Sequence, residues 1–155
     1  MSQNEQQVFK SHGVEETERF GRKLAQFLKP GTTVALYGDL GAGKTVLSRA
    51  IARGLGITEP VTSPTFTVVQ EYQTPEGKWF YHLDMYRINS EDDALAFGID
   101  EYLFVPDGIT LIEWPERIED LLHTEGQSTD KKHRDLVSIY IEHKGPDERQ
   151  ITFAV

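Results

Sequence analysis

Gly38-Asp39-Leu40-Gly41-Ala42-Gly43-Lys44-Thr45 follows the short apolar run Thr33-Val34-Ala35-Leu36-Tyr37 and precedes a helical stripe of Val46, Leu47, Ala50, Ile51 and Leu55. The octapeptide satisfies G-x-x-x-x-G-K-[ST] in full. A buried strand before it and an amphipathic helix after it are the context in which that pattern means a phosphate-binding loop (P-loop). Glycines let successive N–H groups turn inward toward an anion. The helix that starts at the loop adds its own free N–H groups and its positive dipole end. Lys44 reaches the β- and γ-phosphates of a nucleotide, and the Thr45 hydroxyl is placed to hold Mg²⁺. Residues Gly38, Asp39, Leu40, Gly41, Ala42, Gly43, Lys44 and Thr45 are therefore the expected nucleotide-binding residues.

Outward from the loop, strands and helices interleave. Upstream, Phe20, Leu24, Phe27 and Leu28 recur at i, i+4, i+7 and i+8, predicting a helix over 15–29 that Pro30-Gly31 stops. Downstream, Gly54 and Gly56 end the loop's own helix. Thr67–Gln73 and Trp79–Tyr86 read as strands joined by the turn Thr74-Pro75-Glu76-Gly77-Lys78. Ser90-x-x-Asp93 resembles a capping box opening a helix through Ala94, Leu95 and Phe97. Gly108–Trp114 reads as a buried strand, and Pro115 as the first position of a short helix with Ile118, Leu121 and Leu122. Thr124–Arg134 lacks apolar period and reads as a surface loop. The chain then closes on a hairpin, with Val137, Ile139 and Ile141 alternating out and Ile151, Phe153 and Val155 alternating back. The pattern is α/β: a single domain over 1–155, a three-layer P-loop NTPase-like fold with a mixed parallel and antiparallel sheet.

Composition narrows the function. Sixteen Lys plus Arg against 25 Asp plus Glu leave a net charge of −9, which excludes a domain that grips phosphate backbones by bulk charge. There is no cysteine, so no disulfide framework, thiolate metal site or thiol nucleophile. No apolar run approaches the roughly 18 residues of a membrane span, and the polar amino end lacks the layout of a secretory signal. A cytoplasmic protein is the expectation.

A P-loop needs an acid to fix Mg²⁺ and orient the attacking water. Two strand-like runs end in one: Trp79-Phe80-Tyr81-His82-Leu83-Asp84 and Ile109-Thr110-Leu111-Ile112-Glu113. In a parallel sheet the carboxyl ends of strands line the ligand crevice, so both acids belong beside Lys44 and Thr45. Spacing leaves open which of them holds the metal. We assign Glu113 to Mg²⁺ through water, with Thr45, and Asp84 to the γ-phosphate region. Lys44, Asp84 and Glu113 are the candidate catalytic residues. Thr62-Ser63-Pro64-Thr65-Phe66 suits a loop that senses the γ-phosphate. His82 alternates with the core face of its strand and reads as a packing residue. Trp114 reads as lying near the nucleotide, and Arg87 as a phosphate or partner contact.

Gly-Asp-Leu-Gly-Ala-Gly-Lys-Thr, Ser63-Pro64-Thr65-Phe66, His82-Leu83-Asp84-Met85-Tyr86-Arg87 and Ile112-Glu113-Trp114-Pro115, in that order, resemble the bacterial TsaE family, formerly called YjeE. The resemblance runs from the helix before the P-loop through Trp114. It implies a slow Mg-dependent ATPase of three-layer α/β form. Its partners would be TsaD and TsaB, which place threonylcarbamoyl on adenosine 37 of tRNA, so that the tRNA is met only through the complex. By match, Lys44 and Thr45 bind phosphate and Mg²⁺, Glu113 is the metal-side acid, Asp84 serves hydrolysis and 63–66 form a first switch loop. The family's second Thr after the P-loop Thr is Val46 here, which removes one hydroxyl from the phosphate end.

Three rivals share the P-loop. A GTPase selects guanine with Asn-Lys-x-Asp, of which Asp130-Lys131-Lys132 is a weak echo. A small-molecule kinase needs cations over the transferring phosphoryl group, but Arg87, Arg117 and Arg134 are scattered. A module that merely binds nucleotide would not require two acids at strand ends.

Overall fold

In the computed structural model, which describes residues 6–39, 41–62, 68–123 and 135–154, the chain opens with β1 (Gln6–Ser11), α1 (Val14–Ala25), β2 (Thr32–Tyr37) and α2 (Lys44–Gly54). It continues through β3 (Val69–Gln73), β4 (Trp79–Asp84), α3 (Glu91–Ala96), β5 (Gly108–Glu113), α4 (Glu119–His123), β6 (Asp135–His143) and β7 (Arg149–Ala154). Short 3-10 turns span Ile99–Tyr102 and Pro115–Ile118. Among the described residues, seven strands make one sheet in the order β1-β7-β6-β2-β5-β4-β3. The centre β6-β2-β5-β4 is parallel, and β3, β7 and β1 join antiparallel. The mixed α/β sheet expected from the sequence is the one observed.

Burial follows strand parity. Val34 and Leu36 of β2, Leu111 of β5 and Phe80 of β4 enter a core with Leu24, Leu47 and Ile51 of α1 and α2. Ala35, Ile112 and Leu83, of opposite parity, enter a second core with Ala94, Ile99, Ile118 and Leu122. All six residues of β5 are buried, as a strand covered on both faces requires. No helix among the described residues is long and apolar enough to cross a membrane.

Some boundaries moved. The helix predicted over 15–29 ends at Ala25, because the N–H groups of Gln26, Phe27 and Leu28 turn back to carbonyls three residues earlier. That tighter winding advances each residue further around the axis. Phe27, expected on the buried stripe, is rotated out to 73% exposure while Leu24 and Leu28 stay buried. Strand β1 has no counterpart in the sequence reading: four of its six residues are polar, only Phe9 and Ser11 turn inward, and its order comes from pairing with β7. The capping reading of Ser90 holds, its Oγ accepting the Asp93 N–H at 3.1 Å. Pro115 opens its 3-10 turn as expected. The loop read over 124–134 and Val155 lie outside the described residues.

Helices α1 and α2 pack through glycine. A Cβ on Gly21 would stand 2.6 Å from the Ala50 Cβ, and one on Gly54 would stand 2.6 Å from the Ala25 Cβ and 2.7 Å from the Arg22 carbonyl oxygen. Rigid backbone is met in the second case. Gly54→Ala is therefore expected to destabilise the fold by about 1–3 kcal/mol, the usual cost of overpacking. Thermal unfolding reads this as a lower Tm; an unchanged Tm would mean the helix pair separates without loss.

Candidate functional site

Period-two alternation decides which acids face α2. Glu113 follows Leu111 on the β5 face that packs under α1 and α2, and His82 and Asp84 follow Phe80 on the same face of β4. Parallel pairing sets Asp84 beside Glu113 and Leu36 beside Glu113, so the ends of β4, β5 and β2 are level. The glycine-rich loop leaves β2 one residue after Tyr37. Both acids thereby stand at the edge of the crevice into which that loop opens.

The loop is built for close approach. A Cβ on Gly38 would lie 2.8 Å from Ile141 Cγ2 and 2.9 Å from the Ile141 carbonyl oxygen, so β6 leaves room only for glycine. Gly43, the N-cap of α2, sits at φ 107°, ψ 16°, in the left-handed region that side chains disfavour. Among the described residues no side chain caps α2, which leaves its first N–H groups able to meet an anion. Arg149, at the start of β7, donates from Nε to the Ala42 carbonyl at 2.8 Å and from Nη1 to the Glu148 carbonyl at 3.0 Å. It thus ties the loop to the terminal hairpin. Gly43, Val46 and Arg149 line a small cleft with Gly13, Val14 and Thr17.

Lys44 is buried, and among the described residues its Nζ has no hydrogen-bond partner. It lies 3.7 Å from the centroid of the Trp114 ring. Burial pushes its ammonium below the ordinary lysine value, against the opposing charges of Glu113, Glu116, Asp84 and Asp39. Trp114 adopts φ 60°, ψ 48°, a left-handed conformation costing roughly 1 kcal/mol or more for a residue with a side chain. That turn ends β5 at Glu113 and places the indole beside Lys44, near Tyr86 at 5.0 Å.

Glu113 is 4% exposed. Its Oε2 receives His82 Nε2 at 2.7 Å and Ser48 Oγ at 3.3 Å. Burial pushes its carboxyl up, but the His82 hydrogen bond, the Lys44 ammonium and Ser48 outweigh it and hold the group below the usual carboxylate range. Asp84 goes the other way. Burial and the nearby Glu113 charge raise it, although the Tyr86 N–H donates to Oδ1 at 3.0 Å.

An unpartnered buried ammonium, an uncapped helix N-terminus and a glycine with no room for a Cβ fit a bound phosphate group. Four carboxylates act on the one ammonium, so an incoming polyphosphate meets negative charge. A hard divalent cation between phosphate and acids answers that arrangement, with oxygen donors available from Thr45 and Glu113.

The match to known proteins has the same extent as this geometry. The family model "Threonylcarbamoyl adenosine biosynthesis protein TsaE" matches residues 11–151. The chain belongs to the TsaE family. It is 44% identical over 140 residues to the tRNA threonylcarbamoyladenosine biosynthesis protein TsaE of Bacillus subtilis, covering 90% of this chain and 79% of that relative. It is 49% identical over 109 residues to the protein of the same name from Synechocystis, covering 68% of each. A crystal structure of Bacillus subtilis YdiB superposes with a TM-score of 0.76 at 36% identity, covering 100% of this chain and 88% of that one. Membership in the TsaE family makes this a chain of tRNA threonylcarbamoyladenosine biosynthesis.

Within this TsaE-family chain, Lys44 rests against Trp114 and in the field of Glu113 and Asp84, which stand side by side at the ends of β5 and β4. Thr45 lies exposed on the first turn of α2. Leu40 and the Ser63–Phe66 segment lie outside the described residues. His82 is buried as read, yet it is more than packing, because its ring nitrogen holds Glu113. Sequence reasoning missed Ser48 and Arg149. Ser48 stands one helical turn after Lys44, a spacing that could have flagged it. Arg149 carries no local signal; 107 residues separate it from Ala42.

Proposed function

We propose that this chain is the ATPase component of tRNA threonylcarbamoyladenosine synthesis, binding Mg-ATP on residues 38–45 and hydrolysing it to drive assembly or turnover of a TsaD–TsaB complex. The observation that carries the reading is the Lys44 ammonium: buried, without a hydrogen-bond partner among the described residues, and facing two strand-end carboxylates. A desolvated cation of this kind is stabilised when a phosphate arrives.

Each residue then has a task. Backbone N–H groups of the loop and of α2 hold the phosphates, and Lys44 bridges the outer two. Thr45 and Glu113 would hold the Mg²⁺, which when bound neutralises charge between phosphates and acids. The two acids differ in environment, and that difference divides their roles. Glu113, held ionised, suits the metal side. Asp84, pushed up, suits accepting a proton from, or orienting, the attacking water at the γ-phosphate. The cleft along Gly43 and Val46 offers apolar contact for the rest of the nucleotide; Val46 contributes methyl groups where family members carry a hydroxyl. The single domain acts in the cytoplasm and reaches tRNA through its partners rather than by its own −9 surface.

Hydrolysis of ATP and of GTP, by the chain alone and with TsaD plus TsaB, tests this. Expected is a low basal ATPase that rises strongly with both partners, with little use of GTP. A rate indifferent to the partners would overturn the assignment and return a small-molecule kinase to consideration; equal use of GTP would favour the GTPase reading.

A further inference from the structure

We infer that His82 is a positioning residue for Glu113: with Ser48 it holds one carboxylate oxygen, Oε2, and so presents the other oxygen to the metal ion's coordination sphere. The inference rests on the reading of Glu113 as the metal-side acid, and it assigns that acid an orienting shell.

The geometry is specific. His82 is 1% exposed, and its Nε2 lies 2.7 Å from Glu113 Oε2. Ser48 approaches the same oxygen from α2 at 3.3 Å. Donors from two different elements, β4 and α2, thus converge on one atom of a residue on β5. An ionised carboxylate only accepts, so Nε2 and Oγ both donate, and the proton of the ring is fixed on Nε2. Among the described residues Nδ1 then has no partner. Among the described residues, the ring's one hydrogen bond is therefore the bond to Glu113. In the register His82 pairs with Leu111 and Asp84 pairs with Glu113, so the bond is a diagonal one, reaching forward two residues to the crevice. It links the strand that ends in Asp84 to the acid of the neighbouring strand, fixing the angle of a carboxylate that would otherwise rotate about its own side-chain torsions.

A purely structural role would be served by any donor or by a well-packed ring. Three variants separate the cases. His82→Gln can bring an amide nitrogen near the place of Nε2. His82→Asn reaches only the place of Nδ1, and His82→Phe keeps ring volume without a donor. For each we would measure nucleotide affinity without metal, the Mg²⁺ dependence of nucleotide binding by calorimetry, the Mg²⁺ half-saturation of hydrolysis, and Tm. Expected is metal-free nucleotide affinity within about 2-fold of wild type, with Mg²⁺ affinity weakened roughly 10–100-fold in His82→Phe and His82→Asn and largely restored in His82→Gln. Wild-type Mg²⁺ dependence in His82→Phe would overturn the inference, and so would equal losses in all three that track Tm. Should His82→Phe fail to fold, the Gln and Asn pair gives the same contrast. Glu113→Gln runs alongside. If it retains wild-type Mg²⁺ dependence, the metal-side reading itself falls and takes the inference with it. An impaired Glu113→Gln beside an unaffected His82→Phe overturns the role of His82 alone.

Discussion

Lys44→Met is expected to bind Mg-ATP at least roughly 100-fold more weakly than wild type, while its ligand-free form unfolds at the same temperature or higher. The first half follows from charge-assisted hydrogen bonds, each contributing about 1.5–3 kcal/mol, of which a lysine between two phosphates makes two or more. The second half follows from burial. The ammonium is desolvated, makes no hydrogen bond among the described residues, and is offset only by carboxylates and by the Trp114 ring. The cation–π contact contributes about 0.5–2 kcal/mol. Methionine keeps the apolar stem and removes the charge. Calorimetry with Mg-ATP and thermal unfolding without it read the two halves separately. Near-wild-type affinity would sink the phosphate-loop assignment, and a large fall in the ligand-free Tm would show that Lys44 stabilises the empty fold.

The second large effect is at Glu113. Glu113→Gln should still bind nucleotide without metal but lose roughly 100–1,000-fold in Mg-dependent hydrolysis, the scale of removing one preorganised electrostatic group. Full partner-stimulated hydrolysis in the variant would rule out this role. The same substitution has a stability signature. The folded state holds the Glu113 carboxyl below its ordinary value, so across that window the unfolded chain binds more protons. The stabilisation is complete above the unfolded glutamate value of about 4.3 and is lost as pH falls through the folded value. Asp84, raised in the fold, contributes with the opposite sign, and it loses the repulsion of Glu113 in the variant. The two changes are opposite in sign and fall in different windows: below about 4 the loss of Glu113 flattens the acid limb of the variant's stability curve, and above it the relieved Asp84 makes stability fall less with rising pH. Urea unfolding across the acid range measures this, and limbs that run parallel to wild type below about 4 would mean that Glu113 does not titrate differently in the two states.

How far these residues were legible in the sequence varies with the range of the interaction. The phosphate loop was readable because its chemistry is local: eight consecutive residues carry the turn, the ammonium and the hydroxyl. Asp84 and Glu113 were readable because strand ends of a parallel sheet line a crevice; that the two acids share one face came from the pairing of β4 with β5. His82 showed its burial through parity along its run but not its partner. The bond to Glu113 depends on β4 and β5 lying side by side, and 31 residues separate the two groups in the chain. Helix α1 was legible as a stripe, and failed at Phe27, where a change of winding rather than of sequence period set the exposure.

The amino-acid sequence by itself determined the α/β class, the glycine-rich loop between β2 and α2, the acids at two strand ends and the family, because each rests on contiguous residues or on alternation within one element. Only the tertiary structure decided that β1 joins the sheet, that Arg149 of the last hairpin holds the Ala42 carbonyl, and that Lys44 rests against Trp114. It likewise decided that His82 and Ser48 meet on one oxygen of Glu113. Each of those contacts brings together groups from separate elements. Strand order and helix packing select such neighbours, and no spacing along the chain encodes them.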